Sequence, residues 1–163
     1  MVEDIFPLYR QRGILIDTNI LLLHFVGTVN RERISRFNRT EKFIPEDYDL
    51  LQRILTYFQT IVTTPNILTE VNSLANQLGE PERSQCFSIF SEIISNMNES
   101  YIESRTITNT KNFAKFGLTD CGILNVARGK YLVLTDDLKL ANYLQKVGID
   151  AINFNNIRTL GWN

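Results

Sequence analysis

The stretch Gly13-Ile14-Leu15-Ile16-Asp17-Thr18-Asn19 constrains the fold more than any other part of the chain. Three apolar residues run into an aspartate, a threonine and an asparagine, and Ile20-Leu21-Leu22-Leu23 follow. A short unbroken apolar run ending in turn residues is the pattern of a buried parallel strand. Thr18 or Asn19 then caps a following helix. Asp17 falls at the carboxyl end of that strand, where open α/β sheets place their ligand sites. The plain alternative is that Asp17 only caps the helix, since Asp is a preferred N-cap.

The rest of the chain alternates strands with helices. Residues 19–26 form a short helix ended by Gly27. Residues 28–47 lack clean periodicity and form a basic insert: Arg31, Arg33, Arg36, Arg39 and Lys42 stand against only Glu32 and Glu41 in the span 31–42. Pro45 and Asp47 introduce a helix reaching about Phe58. Ile61-Val62-Thr63 is a strand, and Thr64-Pro65 opens the next helix with a cap and a proline at its first position. Ile67, Leu68, Val71, Leu74, Ala75 and Leu78 make one apolar stripe on that helix, with Glu70 at its border. Gly79 and Pro81 lead into a helix through about Met97, whose acids suit a solvated face. Residues 101–117 read as a strand remnant and loop. Leu118-Thr119-Asp120 opens a helix that buries Ile123, Leu124 and Ala127. Tyr131-Leu132-Val133-Leu134 is a strand, Thr135-Asp136-Asp137 opens another helix, and Ala151-Ile152-Asn153-Phe154 is the last strand. This alternation predicts one α/β domain over 1–163, a parallel sheet covered on both faces.

The 163 residues suffice for a substantial core, and a 44% hydrophobic fraction fits a globular protein. A formal net charge of −1 does not announce a nucleic-acid binder, though it permits a local basic surface. The N-terminus carries two early acids and no long apolar core, so it does not read as a signal peptide. No run approaches the roughly 20 apolar residues needed to span a bilayer, so no membrane partner is expected. Cys86 and Cys121 form no CxxC pattern and read as buried, reduced thiols of a cytoplasmic protein. His24, the only histidine, lies among apolar residues and suits packing rather than catalysis.

Four groups of carboxylates occupy equivalent places. Asp17 follows the first strand, Asp120 opens a helix, Asp136 and Asp137 follow a strand, and Glu70 borders the stripe of a helix that itself follows a strand. Helix starts and strand ends share one edge of a parallel sheet, so these acids should converge. Clustered carboxylates repel unless a cation neutralises them or some are protonated. Hard oxygen ligands without His or Cys suit Mg²⁺ or Mn²⁺. Between Ser104 and Ile149, seven cations accompany only three acids, and all three acids sit at helix starts. N-capping explains Asp120 and Asp136 singly, but not the whole set with Asp17 and Glu70.

The order Asp17-Thr18-Asn19, Glu70 in a helix, Asp120 in LTDCGILNVA, then Thr135-Asp136-Asp137 resembles the PIN-domain ribonucleases over nearly the whole chain. The resemblance implies a Rossmann-like three-layer sandwich and Mg²⁺- or Mn²⁺-dependent endonucleolytic hydrolysis of RNA. It implies that Asp17, Glu70, Asp120 and Asp137 surround the metal, while Thr18, Asn19 and Thr135 orient them. Asp136 adds a carboxylate at the family's variable position and is a further candidate ligand. The span from Asp17 to Glu70 leaves room for the basic insert and departs from the compact VapC-type toxins. Lys139 and the insert arginines Arg31, Arg33, Arg36 and Arg39 are the candidate RNA contacts, with a solvated face as the plain alternative. A toxin with an antitoxin partner, a processing nuclease and a DNA nuclease all remain open, as does a homodimer.

Two other readings fit parts of the pattern. A haloacid-dehalogenase-like phosphatase would want an aspartate where Asn19 stands. A non-catalytic PIN-like binding or scaffold module often lacks some of the acids, all of which are present here. No Ser/His/Asp or Cys/His set and no glycine-rich phosphate loop is available.

Overall fold

The structure is a computed structural model that describes residues 2–160. Its centre is a sheet of five parallel strands: β1 (Ile14–Ile16), β2 (Ile61–Thr63), β3 (Asn98–Glu99), β4 (Leu132–Thr135) and β5 (Ala151–Asn153). The strand order is β3-β2-β1-β4-β5. From β1 the chain builds outward through β2 to β3, then returns to the other side of β1 to lay down β4 and β5. The order therefore reverses between β1 and β4, which is where open α/β sheets leave a crevice beyond their carboxyl ends. Ile16 pairs with Leu134 in that register, and the Asp17 amide donates to the Leu134 carbonyl at 3.0 Å. The ends of the two central strands, and the acids that follow them, are thus brought side by side.

Ile14, Leu15, Ile16, Leu132, Val133 and Leu134 are fully buried, as expected of strands covered on both faces. The cover comes from α1 (Val2–Tyr9), α2 (Thr18–Val29), α3 (Pro45–Tyr57), α4 (Pro65–Ala75), α5 (Glu82–Ser95), α6 (Ser104–Thr108), α7 (Phe113–Ala127), α8 (Leu138–Lys146) and α9 (Phe154–Leu160). The result is a three-layer α/β sandwich. Helix α2 buries Ile20, Leu21, Leu22, Leu23, Phe25 and Val26, so it is apolar nearly all round. It is packed by α3, α4 and α5.

Several boundaries differ from the sequence reading. Gly27 does not end α2, which runs on to Val29 and closes at Asn30. A Cβ on Gly27 would lie 2.1 Å from Tyr48 Cδ2, so the glycine is there to let α3 approach. The basic insert contains a 3-10 turn over Arg31–Arg36, capped by the Asn30 side chain on the Glu32 amide. The expected loop at 101–117 holds α6 and the first turn of α7. Helices α1 and α9 were not anticipated. Both are short, and isolated short helices are set by tertiary packing more than by local pattern.

Within α7, Gly117 has φ 80° and ψ −174°, a left-handed excursion that interrupts the helix. Leu118, Thr119 and Asp120 therefore begin a new helical segment, as the sequence pattern predicted. Among the described residues no helix is long and apolar enough to cross a membrane.

Candidate active site

Asp17 is held at the end of β1 by both of its carboxylate oxygens. Oδ1 accepts from the Thr18 amide at 2.7 Å, the N-cap bond of α2, and Oδ2 accepts from Thr135 Oγ1 at 2.6 Å. The capping reading of Asp17 is thus correct as geometry, and it coexists with a place in the site. Glu70 projects from the middle of α4, as its position at the stripe's border required. Thr18 Oγ1 donates to its Oε2 at 2.8 Å, and Thr119 Oγ1 donates to its Oε1 at 2.6 Å. Thr64 caps α4 through Oγ1 on the Ile67 amide, which sets the helix that carries Glu70.

The Asp136-Asp137 pair splits. Asp137 is exposed and caps α8, its Oδ1 accepting from the amides of Lys139 and Leu140 at 2.8 and 3.1 Å. Asp136 is buried. Asn19 Nδ2 donates to both of its oxygens at 3.3 and 3.4 Å, and Lys42 Nζ is paired with it.

Asp17, Glu70, Asp120, Asp136 and Asp137 line one cavity of about 440 Å³ together with Thr18, Asn19, Thr119 and the Phe116-Gly117 break in α7. Acids from four separate parts of the sequence therefore do converge at the reversal of strand order. Their mutual field is felt. Burial pushes the Asp17 carboxyl up to about 6, with the charges of Asp136 and Glu70 adding to the rise against the hydrogen bonds of Thr135 and Thr18. Burial likewise pushes Asp120 up to about 7, reinforced by Asp17, Asp137 and Glu70. A cation entering this cavity would relieve that repulsion.

The donor set is oxygen only, with no His or Cys lining the cavity, and this chemistry fits a hard divalent ion such as Mg²⁺ or Mn²⁺. The carboxylates are not closed into a cage. Among the described residues no three or more His, Cys, Asp or Glu side chains are gathered as a group able to hold a metal ion. Asp17, Glu70, Asp136 and Asp137 are each held by hydrogen-bond partners of their own. A carboxylate offers about four lone-pair positions, so these bonds leave each acid free to accept more.

The insert arginines do not join the site. Arg31 forms a two-bond pair with Asp49 at 3.0 and 2.6 Å, Arg39 donates to Gln77 at 2.8 Å, and Arg36 Nε reaches the Glu32 carbonyl. Arg33 Nε is buried without a partner. None of these four lines the cavity. Lys139 stands at the start of α8 beside Asp137, with its side chain exposed.

Sequence reasoning passed over Lys42, Thr119 and Phe116. Lys42 was one cation among five in the insert, and its partner lies 94 positions away. Phe116 stacks on Tyr143 with centroids 4.5 Å apart at the cavity rim, and Lys115 Nζ lies 5.3 Å from its ring.

His24 is outside this cavity. Its Nδ1 meets Gln52 Nε2 at 2.8 Å, its ring stacks beside Tyr48, and burial pushes its pKa down to about 4. Cys86 and Cys121 are buried free thiols, as expected.

The sequence matches no family model and no curated protein.

Proposed function

We propose that the chain is a Mg²⁺- or Mn²⁺-dependent ribonuclease whose site is the carboxylate cavity between the ends of β1 and β4. The observation that carries this reading is the convergence of Asp17, Glu70, Asp120, Asp136 and Asp137 on one cavity, with two of the carboxyls pushed up towards neutrality. Such a cluster is a poor design for stability alone, and perturbed acids in a cleft mark functional sites.

A bound divalent ion would supply an acidified water and neutralise charge on the phosphate. Asp17, Glu70, Asp120 and Asp137 are the residues that would hold it. The chain's hydroxyls preorganise those ligands: Thr135 aims Asp17, while Thr18 and Thr119 grip the two oxygens of Glu70. Cys121 beside Asp120 is buried with its thiol pKa raised, and His24 lies elsewhere, so the cavity offers no activated covalent nucleophile. Hydrolysis by water follows. An aromatic face at the Phe116–Tyr143 stack would suit an unpaired base, and Lys115 beside that ring and the exposed Lys139 would suit backbone phosphates. This favours single-stranded RNA.

The test is cleavage of an end-labelled single-stranded RNA with Mn²⁺ and with EDTA, followed by analysis of the product ends. The reading expects Mn²⁺-dependent products bearing ordinary phosphate and hydroxyl ends. A cyclic phosphate product formed equally in EDTA would contradict it. The pairing of Asp136 with Lys42, which already neutralises one of the acids, favours a second reading, a non-catalytic RNA-binding module. RNA retention without any cleavage would select that one.

A further inference from the structure

Asp136 already has a cation. Its side chain is only 2% exposed, and Lys42, whose own side chain is 48% exposed, is paired with it. The lysine is not a loose surface group. Arg158 donates to the Lys42 carbonyl at 2.8 Å and pairs with Asp47 at 2.7 Å. The Arg158 guanidinium and the Lys42 ammonium each lie 5.2 Å from the centre of the Phe43 ring. Phe43 is fully buried and packs edge-on against Phe154. The tail of the basic insert is therefore a strut, anchored on α9 and the start of α3, that brings Lys42 to Asp136 at the edge of the cavity.

The acids of the cavity form two overlapping sets. Thr18 and Thr119, the chain neighbour of Asp120, grip Glu70, whereas Asn19 and Lys42 hold Asp136. Asp17 is tied to the first set through Thr18 and stands at the end of β1, beside the strand that leads to Asp136. Many phosphodiesterases place two metal ions about 3.5–4 Å apart to clamp the attacking and leaving oxygens. Here one of the two sets already carries a protein cation.

We propose that Lys42 is the second cation of this site. Its ammonium takes the Asp136 side, the cavity admits a single divalent ion on the Asp120 side, and Lys42 meets the phosphate. An ammonium has three donors, so one can hold Asp136 while another reaches a phosphate oxygen. A divalent ion on the Asp136 side would have to displace Lys42 from a buried carboxylate against like-charge repulsion. This inference rests on the metal-dependent reading of the cavity.

Mn²⁺ binding, counted by electron paramagnetic resonance on the full chain without RNA, tests it. Wild type should bind one Mn²⁺ per chain, Lys42→Met should gain a second, and Lys42→Arg should stay at one. Asp136→Asn should leave the Mn²⁺ affinity of the first site within about threefold, while Asp120→Asn should weaken it about tenfold or more. That comparison needs no variant of Lys42 and stands even where Lys42→Met fails to fold. Two ions in wild type, one ion in folded Lys42→Met, or equal losses for Asp136→Asn and Asp120→Asn would overturn the role of Lys42 and leave the metal site intact. No Mn²⁺ in wild type would overturn both.

Discussion

Thr135, the last residue of β4, donates its hydroxyl to Asp17 Oδ2 at 2.6 Å and accepts the Asp137 amide on the same oxygen at 3.0 Å. One buried hydroxyl thus joins the end of β1 to the entry of α8. It spans the place where the strand order reverses.

Replacing that hydroxyl by a methyl group of similar size separates its bonding from its volume. Thr135→Val leaves a partly buried amide and a buried carboxylate oxygen each short of a partner. We expect a loss of about 1–3 kcal/mol in urea denaturation. Thr135→Ser should retain most of the stability, and equal stability of the valine variant would show the bonds to be replaceable.

The crowded acids set a pH dependence. The folded-state pKa values of Asp17, about 6, and Asp120, about 7, lie above the ordinary carboxylate value near 3.8. The native state therefore binds more protons than the unfolded chain between those limits. Their contribution to stability is full at low pH and is lost as pH rises through the folded values. In EDTA, melting should fall between about pH 4 and pH 7, and Asp120→Asn should fall less and melt higher than wild type near pH 7.5. Parallel pH profiles for the two proteins would remove Asp120 from the cluster.

Gly27 tests the packing of α2 on α3. An alanine there places its Cβ 2.1 Å from Tyr48 Cδ2, so the ring must move, although Tyr48 is only half-buried. We expect Gly27→Ala to cost about 1–3 kcal/mol in thermal or urea denaturation. Combining it with Tyr48→Ala should recover part of that loss relative to the sum of the single changes.

The cations separate by what they already hold. Arg31 is committed to Asp49, whereas Lys139 is exposed beside the cavity. Lys139→Ala should lower the slope of log affinity for RNA against log salt by about one unit, through one lost phosphate contact. Arg31→Ala should leave the slope unchanged. The opposite pattern would return the arginines of the insert to the RNA surface.

Much of this architecture was legible in local pattern. The apolar runs at β1 and β4 gave the central strands, and the stripe of α4 placed Glu70 at a border from which it reaches the cavity. Leu118-Thr119-Asp120 read as a helix start, and the Gly117 break explains why that held inside a longer helix. What escaped was settled by contacts distant in sequence. Gly27 looked like a stop because its partner Tyr48 lies on another helix. Lys42 looked like one more insert cation because Asp136 is far along the chain, and the arginines around it turned to Asp49, Glu32 and Gln77 instead. Asp136 and Asp137 could not be separated from sequence, since only the turn into α8 decides which is buried and which caps the helix.

We propose that the carboxylate cavity hydrolyses RNA with a divalent ion. The most direct test is single-stranded RNA cleavage in Mn²⁺ by wild type beside Asp120→Asn, each checked as folded by its thermal melt. Asp120 lines the cavity and is pushed towards neutrality by burial and then by its charged neighbours, so Asn keeps its shape and removes its charge. Wild type should cleave in a Mn²⁺-dependent way, and the folded variant should lose at least about 100-fold, about 2.7 kcal/mol of transition-state stabilisation. Equal cleavage by both proteins, or none by wild type, would contradict the proposal.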